Sequence, residues 1–251
     1  CIHCTRCIRF GDEIGGMPEL GATGRGENME IGTYIEKSIQ SELSGNVIDV
    51  CPVGALTSKP FRFQARSWEM QARESIATHD AVGSNVFVHV ARRRVLRVVP
   101  RRNDAVNEAW ISDRDRFSYE ALYADDRLTQ PMVKVDGEWL AVDWERALEV
   151  AATGLKAIAD GPGADQLGAL ASPNATSEEH YLLQKMLRGM GCNNLDHRLR
   201  DGDFRDQAVT PWVGLGVAIE DVAKQGAIFT ISCNARAEAP MLNHRVRQAA
   251  K

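Results

Sequence analysis

Several things are scarce in this chain, and each scarcity narrows its class. No apolar run approaches the length needed to cross a bilayer. Charge of neither sign dominates: 30 Lys and Arg stand against 34 Asp and Glu, a formal net charge of −4 that argues against a nucleic-acid partner. Six cysteines in 251 residues are too few for a disulfide framework. Four of them fall within the first 51 positions, which points to metal and a reducing compartment. The chain opens on a cysteine rather than a methionine and stops at Lys251 inside a helical pattern. The expectation is therefore a piece of a longer protein extending both ways, with room here for two or three small domains.

What is present begins at once. Cys1-Ile2-His3-Cys4-Thr5-Arg6-Cys7 sets three thiols two residues apart on one short loop, and a fourth arrives at Cys51-Pro52. A C-x2-C-x2-C run with a remote Cys-Pro is one half of the bacterial ferredoxin pattern and the donor set of a [4Fe-4S] cluster. Two intervening residues let successive sulfurs point inward while the amides between them face those sulfurs. Pro52 removes a backbone donor and fixes φ where the chain turns away. A structural zinc ion also accepts four thiolates, but its sites usually pair two C-x2-C knuckles. The spacing favours iron and sulfide.

The rest of the chain reads in three stretches. After Cys7 a glycine-rich loop runs from Gly11 to Gly32, followed by a helix expected over residues 33–43 and stopped by Ser44-Gly45-Asn46. Asn85–Val90 and Val95–Val99 read as a hairpin whose Ala91–Arg94 link is a solvated arginine turn. Met132–Val135 and Glu138–Leu140 flank Asp136-Gly137, a strong two-residue hairpin signal. Asp143 caps a helix to about Ala159, and Thr176-Ser177-Glu178-Glu179 opens another that closes at Gly191. Leu167–Ala171 and Ala227–Ser232 read as buried strands and 237–250 as a second following helix, the order of a parallel doubly wound sheet.

With the cysteine loop, the stretches Gly32–Lys37, Ser41–Asn46 and Cys51–Pro60 resemble the large iron–sulfur subunit of respiratory complex I, the NADH-quinone oxidoreductase of bacteria, whose mitochondrial form is the 75 kDa subunit. The likeness is sharpest over residues 1–70. It implies that Cys1, Cys4, Cys7 and Cys51 ligate one [4Fe-4S] cluster in the path from flavin to quinone. It also implies further [2Fe-2S] and [4Fe-4S] clusters in an N-terminal region not included here. Implied partners are other peripheral-arm subunits of the complex, among them the flavin-bearing and quinone-proximal iron–sulfur subunits. Membrane association would come only through the complex, on the cytoplasmic face of a bacterial inner membrane or the matrix side of a mitochondrial one.

The later chain resembles molybdopterin-dependent oxidoreductases such as formate dehydrogenases, through Asp126–Pro131 and Asn234–Pro240. The departures carry more weight. Where active members hold a cysteine-ligated cluster, this chain has Thr78–Ser84 and Trp110-Ile111-Ser112-Asp113, with His79 and Ser112 as the only conceivable replacements. Where they ligate molybdenum, after Asn194–Arg200, it offers only Asp201 and Asp203. No molybdopterin is therefore expected. Cys192 and Cys233 read as small buried hydrophobes, His3 as a loop residue and not a ligand, and His180 and His244 as surface or packing residues. Arg6, Arg9 and Lys37 are cations that would raise a cluster's potential if close to it.

The resulting reading is an α+β ferredoxin-like cluster domain over residues 1–70, a β-rich domain over 71–125 with a cluster's cysteines lost, and the incomplete start of an α/β doubly wound, molybdopterin-oxidoreductase-like domain over 126–251. The function it implies is single-electron relay with no substrate-converting site. The alternatives are a subunit of a molybdopterin enzyme, a zinc-bound structural module, and a hydrogenase diaphorase subunit, whose chain would end soon after the Cys-Pro segment.

Overall fold

The computed structural model describes residues 1–33, 39–197, 205 and 214–251. The chain divides into two compact units, Cys1–Leu122 with Val213–Lys251, and Tyr123–Trp212.

In the first unit, α1 (Arg6–Arg9) carries Cys7 and continues into wider turns over Phe10–Gly15, which end at Gly16 with φ 74°. The carbonyls left open there accept from Arg247, whose Nη1 donates to Ile14 O at 2.7 Å and Nη2 to Asp12 O at 3.1 Å. The glycine-rich stretch is not all loop: β1 (Gly21–Thr23) and β2 (Glu30–Gly32) pair antiparallel. Of the helix expected over 33–43, residues 34–38 lie outside the described residues, and residues 39–43 are not helical. Side-chain oxygens take the amides there. Glu19 accepts from Gln40 N at 3.0 Å and Ser41 Oγ from Leu43 N at 3.1 Å, contacts that compete with helical bonds. The helix comes later, as α2 (Asn46–Val50), and ends on Cys51.

The strands β3 (Gln71–Ile76), β4 (Asn85–Ala91) and β5 (Arg94–Pro100) form an antiparallel meander. The arginine turn is exposed as expected, with Arg92 and Arg93 both in left-handed backbone, the geometry of a two-residue hairpin turn. Val86, Val98, Ala77 and Ile111 pack beneath the sheet, and α3 (Asp113–Phe117) follows.

The second unit opens with the expected hairpin, β6 (Met132–Val135) and β7 (Glu138–Ala141), turning on Asp136 and Gly137 with φ 51° and 90°. Asp143 caps α4 (Trp144–Ile158), accepting from Arg146 N at 2.8 Å. Strand β8 is only Ala169–Leu170, shorter than expected. The Thr176–Glu179 capping box opens α5 (Ser177–Gly189), and β9 (Leu195–Asp196) lies parallel to β8, so this stretch is one strand–helix–strand crossover. Leu167, Leu187 and Cys192 form its core.

Residues 213–251 belong to the first unit. They contribute α6 (Ile219–Val222), α7 (Ala235–Glu238) and α8 (Pro240–Ala249), the last two separated at Ala239 where one helix was expected. The buried strand expected at Ala227–Ser232 does not form. Phe229 is 87% and Ile231 73% exposed, and neither lies in a ladder. A strand apolar on both faces needs partners on both edges and cover on both faces, and among the described residues none pairs with it. Helix α8 starts on a proline suited to the first helical position and buries Met241 completely. Met241 joins Cys7, Phe10, Leu43 and Val47 in one core, where the Phe10 and Trp110 rings lie 4.9 Å apart.

Candidate iron–sulfur centre

The thiol loop is kinked by His3 and Thr5, both in left-handed backbone, on either side of Cys4. Cys1 is exposed, and its sulfur accepts from His3 N at 3.4 Å. Cys4 and Cys51 are half-buried, and Cys7 is buried in the core just described. Burial pushes the Cys7 thiol up. The Ile8 and Cys7 amides oppose that shift, while the neighbouring Cys4 and Cys51 add to it by repulsion.

Cys51 behaves differently. The Leu56 amide, helped by those of Val53, Ala55 and Gly54, draws it below the usual thiol range against a smaller desolvation effect. Gly54 makes this possible through its φ of 66°, not by saving space, since a Cβ there would meet nothing within 4 Å. A nest of amides around a thiolate is what a cluster's sulfurs require. Among the described residues, no three His, Cys, Asp or Glu side chains stand in the geometry of a formed metal site. The donor chemistry and the amide nest fit an iron–sulfur cluster.

Arg6 and Arg9 line an open cavity of about 340 Å³ with Glu13, Asp49, Pro52 and Trp110. Lys37 lies outside the described residues.

The second set of candidates is occupied by protein interactions. Ser112 caps α3, its Oγ accepting from Asp115 N at 3.1 Å. His79 Nδ1 lies 3.1 Å from Asp115 Oδ1, and Arg114 reaches Asp80 at 3.5 Å. Burial raises the Asp80 carboxyl, opposed by the Val82 amide and Arg114. A helix cap and an ion-paired loop stand where cysteines would be needed.

Asp201 and Asp203 lie outside the described residues. Cys192 is fully buried, with Sγ 3.2 Å from Leu167 O, as a small core residue should be. Cys233 is exposed, contrary to expectation, because the strand meant to bury it does not form. His180 is half-buried on α5, whereas His244 packs on α8 with its Nε2 3.2 Å from Glu108.

Sequence reasoning missed the groups that hold α2. Asn46 is completely buried. Asp113 accepts from Ser44 Oγ at 2.5 Å and Gly45 N at 2.6 Å, and Arg116 pairs with Asp49. The signal was faint: Asn46 closes one of the family-like stretches, but its partners lie more than 60 residues away.

Comparison with known proteins matches residues 1–57 to a family described as NADH-quinone oxidoreductase subunit 3, ferredoxin-like domain. Residues 70–120 match the NADH-ubiquinone oxidoreductase NDSU1/NuoG-like 4Fe-4S domain, although no cysteine occurs between those positions. Residues 127–251 match a family described as molybdopterin oxidoreductase. The chain is 39% identical to the NADH-ubiquinone oxidoreductase 75 kDa subunit of Reclinomonas americana, over 99% of this chain and 37% of that protein. It is 40% identical to the mitochondrial NADH-ubiquinone oxidoreductase 78 kDa subunit of Neurospora crassa, over 99% and 33%. To the NADH dehydrogenase [ubiquinone] iron-sulfur protein 1 of Solanum tuberosum it is 41% identical, over 100% and 33%. The chain spans about a third of the length of these relatives.

Proposed function

Because the chain belongs to the family of large iron–sulfur subunits of NADH-quinone oxidoreductases, we propose that it relays single electrons within such a complex, from the flavin side toward quinone. Cys1, Cys4, Cys7 and Cys51 would hold one [4Fe-4S] cluster. The observation that carries this reading is the Cys1–Cys7 loop, with Cys7 set in the core and Cys51 ending α2, in a stretch that matches a ferredoxin-like domain. Cys1, exposed on its loop, would be the ligand nearest solvent. When bound, the cluster takes up and gives back one electron without breaking substrate bonds.

The chain's own residues do the rest. The Val53–Leu56 amides face the Cys51 sulfur, and Phe10, Val47 and Met241 keep water from Cys7. The functional division runs 1–70 for the cluster domain, 71–125 for a cysteine-free domain and 126–251 for a scaffold without molybdopterin. The partners are the flavin-bearing and quinone-proximal iron–sulfur subunits, with further [2Fe-2S] and [4Fe-4S] clusters in the preceding part of the protein. No described helix is long and apolar enough to cross a membrane. The subunit sits on the cytoplasmic or matrix side through the complex.

The test is low-temperature EPR with iron and sulfide assays on the anaerobically reconstituted, dithionite-reduced chain. About four irons and four sulfides per chain, lost together with the signal in Cys4→Ala, are expected. Zinc in their place, with no signal, would replace this reading with the structural one.

A further inference from the structure

The fourth thiol hangs on a helix that cannot stand alone. Helix α2 has five residues, far below the length at which a helix persists in water without tertiary support. Its support comes from 65 to 70 residues later in the chain, in the segment that matches a 4Fe-4S domain yet carries no cysteine. Asp113 holds the approach to α2, accepting from Ser44 Oγ and Gly45 N. Ile111 holds its first residue, exchanging two hydrogen bonds with the Asn46 side chain.

Arg116 holds its last turn. Its guanidinium is buried, donates to Asn46 Oδ1 at 3.2 Å and grips Asp49 with both Nη groups, one at 3.3 Å. Asp49 lies two residues before Cys51. Gly45 lets Arg116 come this near: a Cβ there would lie 2.6 Å from Arg116 Cδ. The guanidinium's Nε has no hydrogen-bond partner among the described residues, and its Nη groups bond to Asn46 and Asp49, both on α2. Arg97 faces the same cavity wall as Asp49 and Arg116 and is a further cation on that side.

We propose that Arg116 and Asp49 are positioning residues for the fourth cluster ligand, by which the cysteine-free segment aims Cys51 and balances the charge beside it. This rests on the proposed ligation by Cys51. A charge on Arg116 alone would favour the reduced cluster, and a charge on Asp49 alone the oxidised one. Paired, the two nearly cancel.

The test uses the full-length subunit in its complex, with Arg116→Gln, Asp49→Asn, the double variant and Arg116→Lys. Iron content, EPR line shape and redox titration are read alongside circular dichroism. Arg116→Gln should shift the midpoint potential down and Asp49→Asn should shift it up. The double variant should return toward wild type, and Arg116→Lys should restore the potential more fully than Arg116→Gln. Unchanged potentials and line shapes at full iron content would overturn the inference. So would iron loss in both single variants together with lost secondary structure and no opposite shifts, since that is ordinary destabilisation. Cys51→Ser with a wild-type signal would overturn the ligand assignment itself, separately from the role of Arg116.

Discussion

Asn46 and Ile111 pair as two strands would. The Ile111 N–H donates to Asn46 Oδ1 at 3.1 Å, and Asn46 Nδ2 donates to Ile111 O at 2.8 Å. The same Nδ2 also reaches Leu43 O at 2.9 Å. Both residues are fully buried, so no water stands ready to replace these bonds.

Truncating this amide should therefore be costly. Asn46→Ala strands the N–H and C=O of Ile111 in the interior and removes an acceptor from Arg116. The expected loss is about 3 kcal/mol, the sum of unmet buried polar groups rather than of the bonds themselves. Urea unfolding of the cluster-free chain measures it, and a loss below about 1 kcal/mol would show that the site relaxes around water.

Gly45→Ala offers a test by sign. Its φ of −63° suits alanine, so an open position would gain about 0.4–1 kcal/mol from a less flexible unfolded chain. Here the new methyl would lie 2.6 Å from Arg116 Cδ and 2.8 Å from Asp113 Oδ1. Overpacking should prevail and lower stability by about 1–3 kcal/mol. A raised melting temperature would contradict the close approach of Arg116.

Acid should loosen α8. Burial alone would raise the Glu108 carboxyl. Hydrogen bonds from Gln248 and His244, with the charges of His244 and Arg245, outweigh it and hold Glu108 below the usual range. A carboxyl with a depressed folded pKa contributes stability that is present above its unfolded pKa and is lost as pH falls through the folded one. Glu108→Gln should thus be less stable at neutral pH but lose less on acidification. Thermal unfolding from neutral to acid pH reads both, and parallel wild-type and variant profiles would show that Glu108 does not govern the acid side.

Local chemistry was legible in the sequence and distant pairing was not. The Asp136-Gly137 turn, the Thr176–Glu179 capping box and the Asp143 cap need only neighbours within four residues, and each stands where their order places it. The cysteine loop is likewise a local pattern, and the stretch that holds it matches a ferredoxin-like domain. The 33–43 helix pattern fails over 39–43 because Glu19, twenty-one residues from Gln40, takes its amide. Ala227–Ser232 is apolar enough for a strand, but pattern alone does not supply a ladder. Nothing near Asp113 or Arg116 in the sequence marks them as anchors; the fold alone carries them to α2. The burial of Arg116 is a property of the tertiary structure, invisible to periodicity.

The short length of α2 bears on how this protein can be cut. Residues 1–57 look like a self-contained module, yet a designer who excised them would leave Ile111, Asp113 and Arg116 behind, and with them the frame that orients Cys51. The smallest transplantable cassette must extend past α3, and its last residues have no cysteine to betray why they are needed.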